Sequence, residues 1–593
     1  MKILLTAINA KYIHSNLAVY SLKAAAGQYA DRIEIAEFTI NNSPDYILEE
    51  IYKKKPDVLM FSCYIWNLNV IEEVLREHHK LCPKVPIWLG GPEVSFEVET
   101  FLQEHPQVKG IMMGEGEVTF RELCEYYMQD EDCVQKKENS VLENIKGIAY
   151  RKETEYADAA GTIQVNSWRE ITSMSDIPFC YDRMEDFSNR IIYYESSRGC
   201  PFSCSYCLSS VDKKLRFRDI ELVKEELQFF IDKKVPQIKF VDRTFNCHHD
   251  HAMAIWRFIK ERDNGVTNFH FEISADLINE AELELMSTMR PGLIQLEIGV
   301  QSTNEVTIQE IHRTMKLDRL KEIVNKVKSF GNIHQHLDLI AGLPYEDYKT
   351  FQKSFDEIYA LQPNQLQMGF LKVLKGSYMF EHAKDYGILY HDKPPYEVMA
   401  TNWLSYDEIL KMKRVEEMLE VYYNSGQFEI TMQIMKTKYS SAFEMFQKLG
   451  DYYESHGLFG MSHSRIKRCE ILMDFVKEEF ALSDDGAEVC ECIRQALVFD
   501  LYYRENSKSR PDWAGDSGNF KKITHFYCKN GKMSHVEPFD YDFLGDLQQF
   551  PQKCHKTVWV LYSYDQRDPL NHQAKAEYVY PEVDMMAESG ISQ

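Results

Sequence analysis

The chain has no run of about 18 apolar residues, the length a membrane-spanning helix needs, so no membrane partner is expected. It is also short of basic residues. Only 68 Lys and Arg stand against 92 Asp and Glu, a net charge of -24. That balance disfavours nonspecific binding to nucleic acid, which draws on a lysine and arginine surplus. Cysteine is sparse at 14 in 593 residues, too few for a dense disulfide framework. The apolar stretch in Met1-Lys2-Ile3-Leu4-Leu5-Thr6-Ala7 is too short for a secretory signal and reads as a first strand. These absences point to a cytoplasmic protein with reduced thiols. The length predicts three or four domains of about 150 residues.

Three of the few cysteines are crowded into one loop, Ser197-Arg198-Gly199-Cys200-Pro201-Phe202-Ser203-Cys204-Ser205-Tyr206-Cys207. The spacing is Cys-x3-Cys-x2-Cys, directly after the apolar run Ile191-Ile192-Tyr193-Tyr194. Three thiolates at this spacing can hold three corners of a cubic iron–sulfur cluster and leave the fourth iron open to a non-protein ligand. An exposed cluster of this kind calls for an anaerobic or microaerobic setting. Three readings compete. Zinc favours four ligands in a closed structural site, and no fourth Cys or His lies in the loop. A ferredoxin cluster uses four cysteines. Free buried cysteines also behave as small hydrophobes.

Over residues 1–130, apolar strands alternate with amphipathic helices. The strands are expected at Lys2–Ala7, Arg32–Phe38, Asp57–Ser62, Val85–Gly90 and Gly110–Met113. Five such units imply a doubly wound parallel sheet with helices on both faces. Ligands of such sheets bind beyond the carboxyl ends of the strands. Small and polar residues stand there: Ser62-Cys63-Tyr64, Gly90-Gly91-Pro92-Glu93 and Gly114-Glu115-Gly116-Glu117. Together these motifs resemble the cobalamin-binding domain that precedes radical S-adenosylmethionine domains. The resemblance implies cobalamin contacts at Ser62, Tyr64, Gly90, Gly91, Glu93, Gly114 and Glu115. Members that ligate cobalt through histidine carry Asp-x-His-x-x-Gly after the first strand. This chain has Asn9-Ala10-Lys11-Tyr12-Ile13-His14-Ser15-Asn16 instead. His14 is the only nearby substitute, and its alternative role is a hydrogen bond at the start of the helix, beside the capping candidates Ser15 and Asn16.

Residues 131–187 read as a linker. Glu131–Asn139 is expected to be a surface excursion, and 147–151 and 162–165 a small hairpin around Ala159-Ala160-Gly161. From 188 to 400 strand and helix patterns alternate again. Strands are expected at Ile191–Glu195, Gln237–Val241, Phe269–Ser274, Leu293–Val300, His336–Ala341 and Gln365–Phe370. Six units match a partial β/α barrel, in which active residues gather at the carboxyl ends of strands. The cysteine loop, with Tyr206 before its last cysteine, closely resembles the radical S-adenosylmethionine superfamily. That resemblance implies a 4Fe-4S cluster on Cys200, Cys204 and Cys207 that binds S-adenosylmethionine and yields a 5'-deoxyadenosyl radical. It further implies cofactor contacts at Tyr206, at Thr244 in Asp242-Arg243-Thr244, at Glu297 and Ser302 in Glu297-Ile298-Gly299-Val300-Gln301-Ser302, and at Gly342 in Asp338-Leu339-Ile340-Ala341-Gly342-Leu343-Pro344. Asp276 and His336 read as ordinary satisfied polar residues.

Residues 401–593 read as a mainly helical domain of unassigned role with a small β element. Tyr406–Asn424 and Gln433–His456 are expected as long helices, and Thr524–Cys528 and Met533–Glu537 as a hairpin around Asn530-Gly531. A strand is expected at 558–562, mobility after Pro581, and no second cluster from Cys469, Cys490, Cys492, Cys528 and Cys554. The combined resemblance implies a cobalamin-dependent radical enzyme, as a methyltransferase acting on an unactivated carbon or similar inert centre. The alternatives are a non-methylating cyclase or rearrangement enzyme with the same cofactors, and a cobalamin or redox sensor. A small-molecule or peptide substrate and an electron donor such as flavodoxin or ferredoxin would be its partners.

Overall fold

The structure is a computed structural model. It describes residues 1–128, 141–152, 162–181, 184–187, 189–210, 213–515, 521–527 and 533–581. The expected surface excursion, the Ala159-Ala160-Gly161 turn, Asn530-Gly531, Cys528 and the stretch after Pro581 lie outside the described residues.

The first sheet contains β1 (Ile3–Asn9), β2 (Ile33–Thr39), β3 (Val58–Ser62), β4 (Ile87–Gly90), β5 (Gly110–Met112), β6 (Ile148–Arg151) and β7 (Ile163–Val165), in the order β2-β1-β3-β4-β5-β6-β7. β1 and β3 are buried at every residue, as strands covered on both faces must be. β1 to β5 pair in parallel. The hairpin expected as a linker does form, but it belongs to this sheet, because β6 pairs antiparallel with β5 and β7 with β6. Asn16 caps the helix after β1, accepting from Val19 N, while Ser15 turns away to donate to Ile191 O at 2.8 Å.

The next strands are β8 (Ile192–Tyr194), β9 (Ser197–Arg198), β10 (Arg216–Phe217), β11 (Gln237–Phe240), β12 (Asn268–Ile273), β13 (Ile294–Gln301), β14 (His334–Ala341) and β15 (Gln365–Phe370). Six of them form the second sheet, in the order β15-β14-β13-β12-β11-β8. β9 and β10 make a separate antiparallel pair that frames the cysteine loop. Buried and half-buried residues alternate along β13 and β14. One face is thus apolar (Ile294, Leu296, Ile298, Val300 in β13) and the other polar (Gln295, Glu297, Gln301). β16 (Leu389–Tyr390) and β17 (Val398–Ala400) form a short antiparallel pair.

The described chain divides into two compact units. The first comprises 1–297, 308–323 and 370–402; the second comprises 298–307, 324–369 and 403–593. The second unit carries helices at Tyr406–Met418, Glu429–Lys436, Ala442–Ser455, Arg465–Glu479 and Gly486–Arg504, followed by β18 (Ser534–Tyr541), β19 (Lys553–Arg567) and β20 (Ala574–Val579) in an antiparallel sheet.

Several expectations for the second unit are corrected. The helix expected over Tyr406–Asn424 changes to a π-turn at Leu419–Asn424. The helix expected over Gln433–His456 is two helices, because Ser441 is extended and caps the second by accepting from Glu444 N. The strand expected at Thr524–Cys528 is helical over its described residues, as part of a helix at Lys521–Tyr527. The buried Asp500 caps a helix from outside it, accepting from Ile430 N and from Thr431 N and Oγ1.

Within the second unit a carboxyl group clamps two strand-end loops. Glu346 is fully buried and accepts from Ser302 Oγ at 2.6 Å and Ser354 Oγ at 3.0 Å. Thr307 Oγ1 and Asn304 Nδ2 add bonds to the carbonyls of Pro344 and Tyr345. Burial lifts the Glu346 carboxyl from its ordinary 4.5 to about 7, against the pull of Ser302 and Ser354. A raised folded-state value means that its contribution is full below 4.5 and is lost as pH rises through about 7. Glu346→Gln keeps the acceptor oxygen and removes the ionisation. Thermal melts at pH 5 and pH 8 should show the variant gaining on the wild type at the higher pH by roughly 3 kcal/mol, at 1.36 kcal/mol per unit. An unchanged difference between the two pH values would refute this account.

Candidate active site

The cysteine loop lies in the first unit and is held at Ser205, between Cys204 and Cys207. Ser205 N donates to Ile311 O at 2.9 Å, and Met379 N donates to Ser205 O at 2.8 Å. Polar groups approach all three sulfurs: Thr244 Oγ1 lies 3.7 Å from Cys200 Sγ, Arg313 Nη1 lies 3.9 Å from Cys204 Sγ, and Ser209 N donates to Cys207 Sγ at 3.4 Å. Arg313 Nη1 also donates to Tyr206 Oη at 3.2 Å. Burial raises the Cys204 thiol, and Arg313 opposes the shift. A single tetrahedral zinc with Zn–S near 2.3 Å would draw the sulfurs to about 3.8 Å of one another. The three sulfurs form no group within 4.8 Å among the described residues. Three spaced thiols with a donor each suit a multinuclear cluster better than one ion.

The loop is bound to the first sheet by charge. Arg198, two residues before Cys200, donates from Nη2 to Glu117 Oε1 at 2.5 Å and from Nε to Glu195 Oε2 at 2.8 Å. Glu115 pairs with Arg216 at 2.6 Å and lies 3.7 Å from Arg198. Burial would raise the Glu117 carboxyl, but Arg198 holds it below its ordinary value. For Glu195 burial wins, and the value stays raised despite Arg198. Gly199 has φ +88°, and a Cβ there would meet Lys214 O at 2.6 Å, so the chain turns between Arg198 and Cys200 only with glycine. Asp242 secures the same loop from β11. It is 1% exposed and accepts from Ser196 N and Oγ and from Ser197 Oγ. Burial carries its carboxyl up to about 7, with both serines resisting.

The residues expected to contact cobalamin stand at the carboxyl ends of β3, β4 and β5. Ser62 pairs with Gly90 in register. Ser62 Oγ accepts from Asn16 Nδ2 at 3.2 Å. Asn67, fully buried, shapes the loop after β3: it donates to Ile8 O and Ser62 O at 3.0 Å and accepts from Tyr64 N at 2.8 Å. That leaves the Tyr64 ring stacked on Trp66 with centroids 4.4 Å apart. Gly91 has φ +116°, and a Cβ would meet Cys63 O at 2.4 Å, so this turn also demands glycine. Glu93 is 7% exposed and accepts from Tyr396 Oη; burial raises its carboxyl. Gly114 lies under the Trp168 ring. At Gly90, Gly91 and Gly114 a Cβ would meet Met112, Cys63 or Trp168, so glycine lets the backbone of these strand ends pack closely. Glu93 and Glu115 are engaged by protein partners. His14 Nδ1 bonds Tyr193 Oη at 2.6 Å, and burial lowers its pKa, with Lys11 adding to the shift.

A polar row crosses three strands of the second sheet within the first unit. Lys239 pairs in register with Tyr193 and with His270. Glu297 lies 2.7 Å from Lys239 Nζ and 2.9 Å from His270 Nε2. Burial would raise the Glu297 carboxyl, but His270 and Lys239 pull it to about 2. It is a half-buried anion paired with Lys239 and His270. Ser302 and Gly342 fall in the second unit. Ser302 is spent on Glu346, and Gly342 turns the chain at φ +90°. Asp276 accepts from Ser274 Oγ and Lys316 N, and His336 lies 3.2 Å from Asp338. Arg198, Glu117, Arg313, Asn67 and Tyr396 escaped notice as site residues. Arg198 and Glu117 sit inside the quoted motifs, where a charge beside small residues was a usable signal. Tyr396 reaches Glu93 across 303 positions and gave none.

Residues 3–124 match the B12 binding domain family, and residues 194–358 match the Radical SAM superfamily. The chain joins a B12 binding domain to a radical SAM domain. Residues 384–561 match a family described as protein of unknown function (DUF4080). Among curated relatives, the cobalamin-dependent radical SAM methyltransferase TokK of Streptomyces tokunonensis is 27% identical over 318 residues, 50% of this chain and 44% of TokK. The anaerobic magnesium-protoporphyrin IX monomethyl ester cyclase of Rubrivivax gelatinosus is 23% identical over 345 residues, 56% of this chain and 59% of the cyclase. The chain spans about half the length of these curated relatives. Among solved structures, the cobalamin-dependent S-adenosylmethionine radical enzyme OxsB, with aqua-cobalamin and S-adenosylmethionine bound, shares the fold at TM-score 0.54 and 16% identity, covering 84% of this chain and 78% of OxsB.

Removing Arg198 strands Glu117 and Glu195. Arg198→Met should cost about 3 kcal/mol in chemical denaturation, the scale of a broken buried pair. The double variant with Glu117→Gln should lose less than the two single losses added together. Strict additivity would show that the pair is not coupled.

Proposed function

We propose that this chain is a cobalamin-dependent radical S-adenosylmethionine enzyme that methylates an unactivated carbon or similar inert centre. One observation carries the reading: Arg198 ties the cysteine loop to the Gly114-Glu115-Gly116-Glu117 turn within one compact unit. When bound, the cluster would supply one electron to S-adenosylmethionine for a 5'-deoxyadenosyl radical, and cobalamin would supply the transferable methyl group.

Cys200, Cys204 and Cys207 would hold the cluster, with Tyr206 and Thr244 beside it. Ser62, Tyr64, Gly90, Gly91 and Gly114 would border cobalamin. Glu93 and Glu115 act through Tyr396, Arg198 and Arg216, shaping those loops rather than offering free carboxylates. His14 is held by Tyr193, which leaves the cofactor face without a committed histidine from this loop. Glu297 keeps the polar face of β13 charged through Lys239 and His270. Ser302 and Gly342 support the strand-end loops of the second unit.

The segments 1–130, 131–187, 188–400 and 401–593 serve in this reading as cobalamin domain, connector, radical domain and a C-terminal domain of unassigned role. The substrate is a small molecule or peptide, and flavodoxin or ferredoxin supplies electrons. A cytoplasmic, anaerobic setting suits twelve free cysteines among the described residues. No helix of the described residues is long and apolar enough to cross a membrane. The second reading, a cyclase with the same cofactors, is favoured by the likeness to the Rubrivivax cyclase.

Reduced, reconstituted protein given methyl-labelled S-adenosylmethionine and candidate substrates should form 5'-deoxyadenosine and a labelled product. Cys200→Ala should abolish both. Product without label would favour the cyclase; no 5'-deoxyadenosine from the reduced wild type would reject both enzyme readings.

A further inference from the structure

The three cysteine sulfurs are unequally served. Thr244 Oγ1 lies beside Cys200 and the Ser209 amide beside Cys207, while the Arg313 guanidinium reaches Cys204, where Tyr206 also bonds the sulfur. Arg313 reaches that position by a defined route. Arg313 N donates to Ile308 O at 3.0 Å, closing the turn after the short helix Glu305–Glu310. Two residues earlier, Ile311 O accepts from Ser205 N, inside the cysteine loop. The same turn thus grips the loop through its backbone and places one cation between Cys204 Sγ and Tyr206 Oη. The nearby Arg198 spends its charge on Glu117 and Glu195, and Arg216 spends its charge on Glu115.

We propose that Arg313 is a positioning residue that sets the reduction potential of the cluster on Cys200, Cys204 and Cys207. This rests on the radical enzyme reading. The potential of an iron–sulfur cluster follows its net charge and the hydrogen bonds to its sulfurs. Reduction adds one electron and no proton, so the cluster becomes more negative. A guanidinium at a ligating sulfur favours that state and makes the potential less negative. Arg313 has five donors in a planar fork, so it can serve Cys204 and Tyr206 together, which a lysine cannot match.

The test uses full-length protein reconstituted with iron and sulfide: wild type, Arg313→Lys and Arg313→Met. Iron and sulfide content, circular dichroism and the midpoint potential by EPR-monitored titration are read for each. The Met variant should bind iron as the wild type does. At a fixed potential its reduced-to-oxidised ratio should fall at least tenfold, a shift of 59 mV to more negative values for one electron. The Lys variant should fall between the two. An unchanged potential in the Met variant overturns the proposal, as does a Lys variant as negative as Met. Folded variants that both fail to bind iron assign Arg313 to loop assembly alone and also overturn it. Wild type that binds no cluster fails the enzyme reading itself, whatever Arg313 does.

Discussion

The guanidinium of Arg198 joins two chemically different loops, beside the parallel pair of Arg216 with Glu115. Arg198 lies between Glu195, from its own loop, and Glu117, from the turn after β5. Its planar fork satisfies two carboxylates at once, which a point charge on a flexible stem does less well. Half-buried carboxylates in this position would be costly without it. The cysteine loop begins two residues later, so the geometry of the three thiols inherits the position of this pair. Asp242 and Ile311 then fix the loop from β11 and from the turn after β13. The cysteines are held by a framework of charge and backbone bonds that is complete within the first unit.

The second sheet repeats one pattern with different consequences. Alternate residues of β13 and β14 pack into the core, and the others form a polar face. In the first unit that face carries the row Tyr193, Lys239 and His270 with Glu297. The Lys239 charge and a hydrogen bond from His270 keep Glu297 ionised. In the second unit the strand-end carboxyl Glu346 has only hydroxyl partners, and burial pushes its proton affinity up. Two glutamates thus shift in opposite directions, because Glu297 faces the Lys239 cation and Glu346 faces only hydroxyl groups.

Much of this was legible in the chain. The cysteine spacing, the strand ends Ser62, Gly90 and Gly114, and the alternation of strands with helices all rest on local pattern. The limits were also physical. The hairpin read as a linker became two strands of the first sheet, because pairing with β5 is a long-range choice that no local period reveals. Gln433–His456 kept a helical period across Ser441, where an extended residue and a side-chain cap divide it. Glu93, Glu115 and Ser302 were read as cofactor contacts, and the protein partner that the structure gives each comes from distant residues that no local pattern reveals.

By itself the sequence determined most of the elements and the chemical kinds: three thiols in one loop, glycines where the backbone must turn, and an acidic chain without a long apolar run. Those properties depend on neighbours along the backbone and on composition. The tertiary structure alone decided which carboxylates are paired, which are protonated and which sulfur meets a cation. Those outcomes depend on distances of 2.5–3.9 Å between residues as far apart as Glu117 and Arg198 or Cys204 and Arg313. Electrostatic energy at such range is set by position in space, and only folding supplies that.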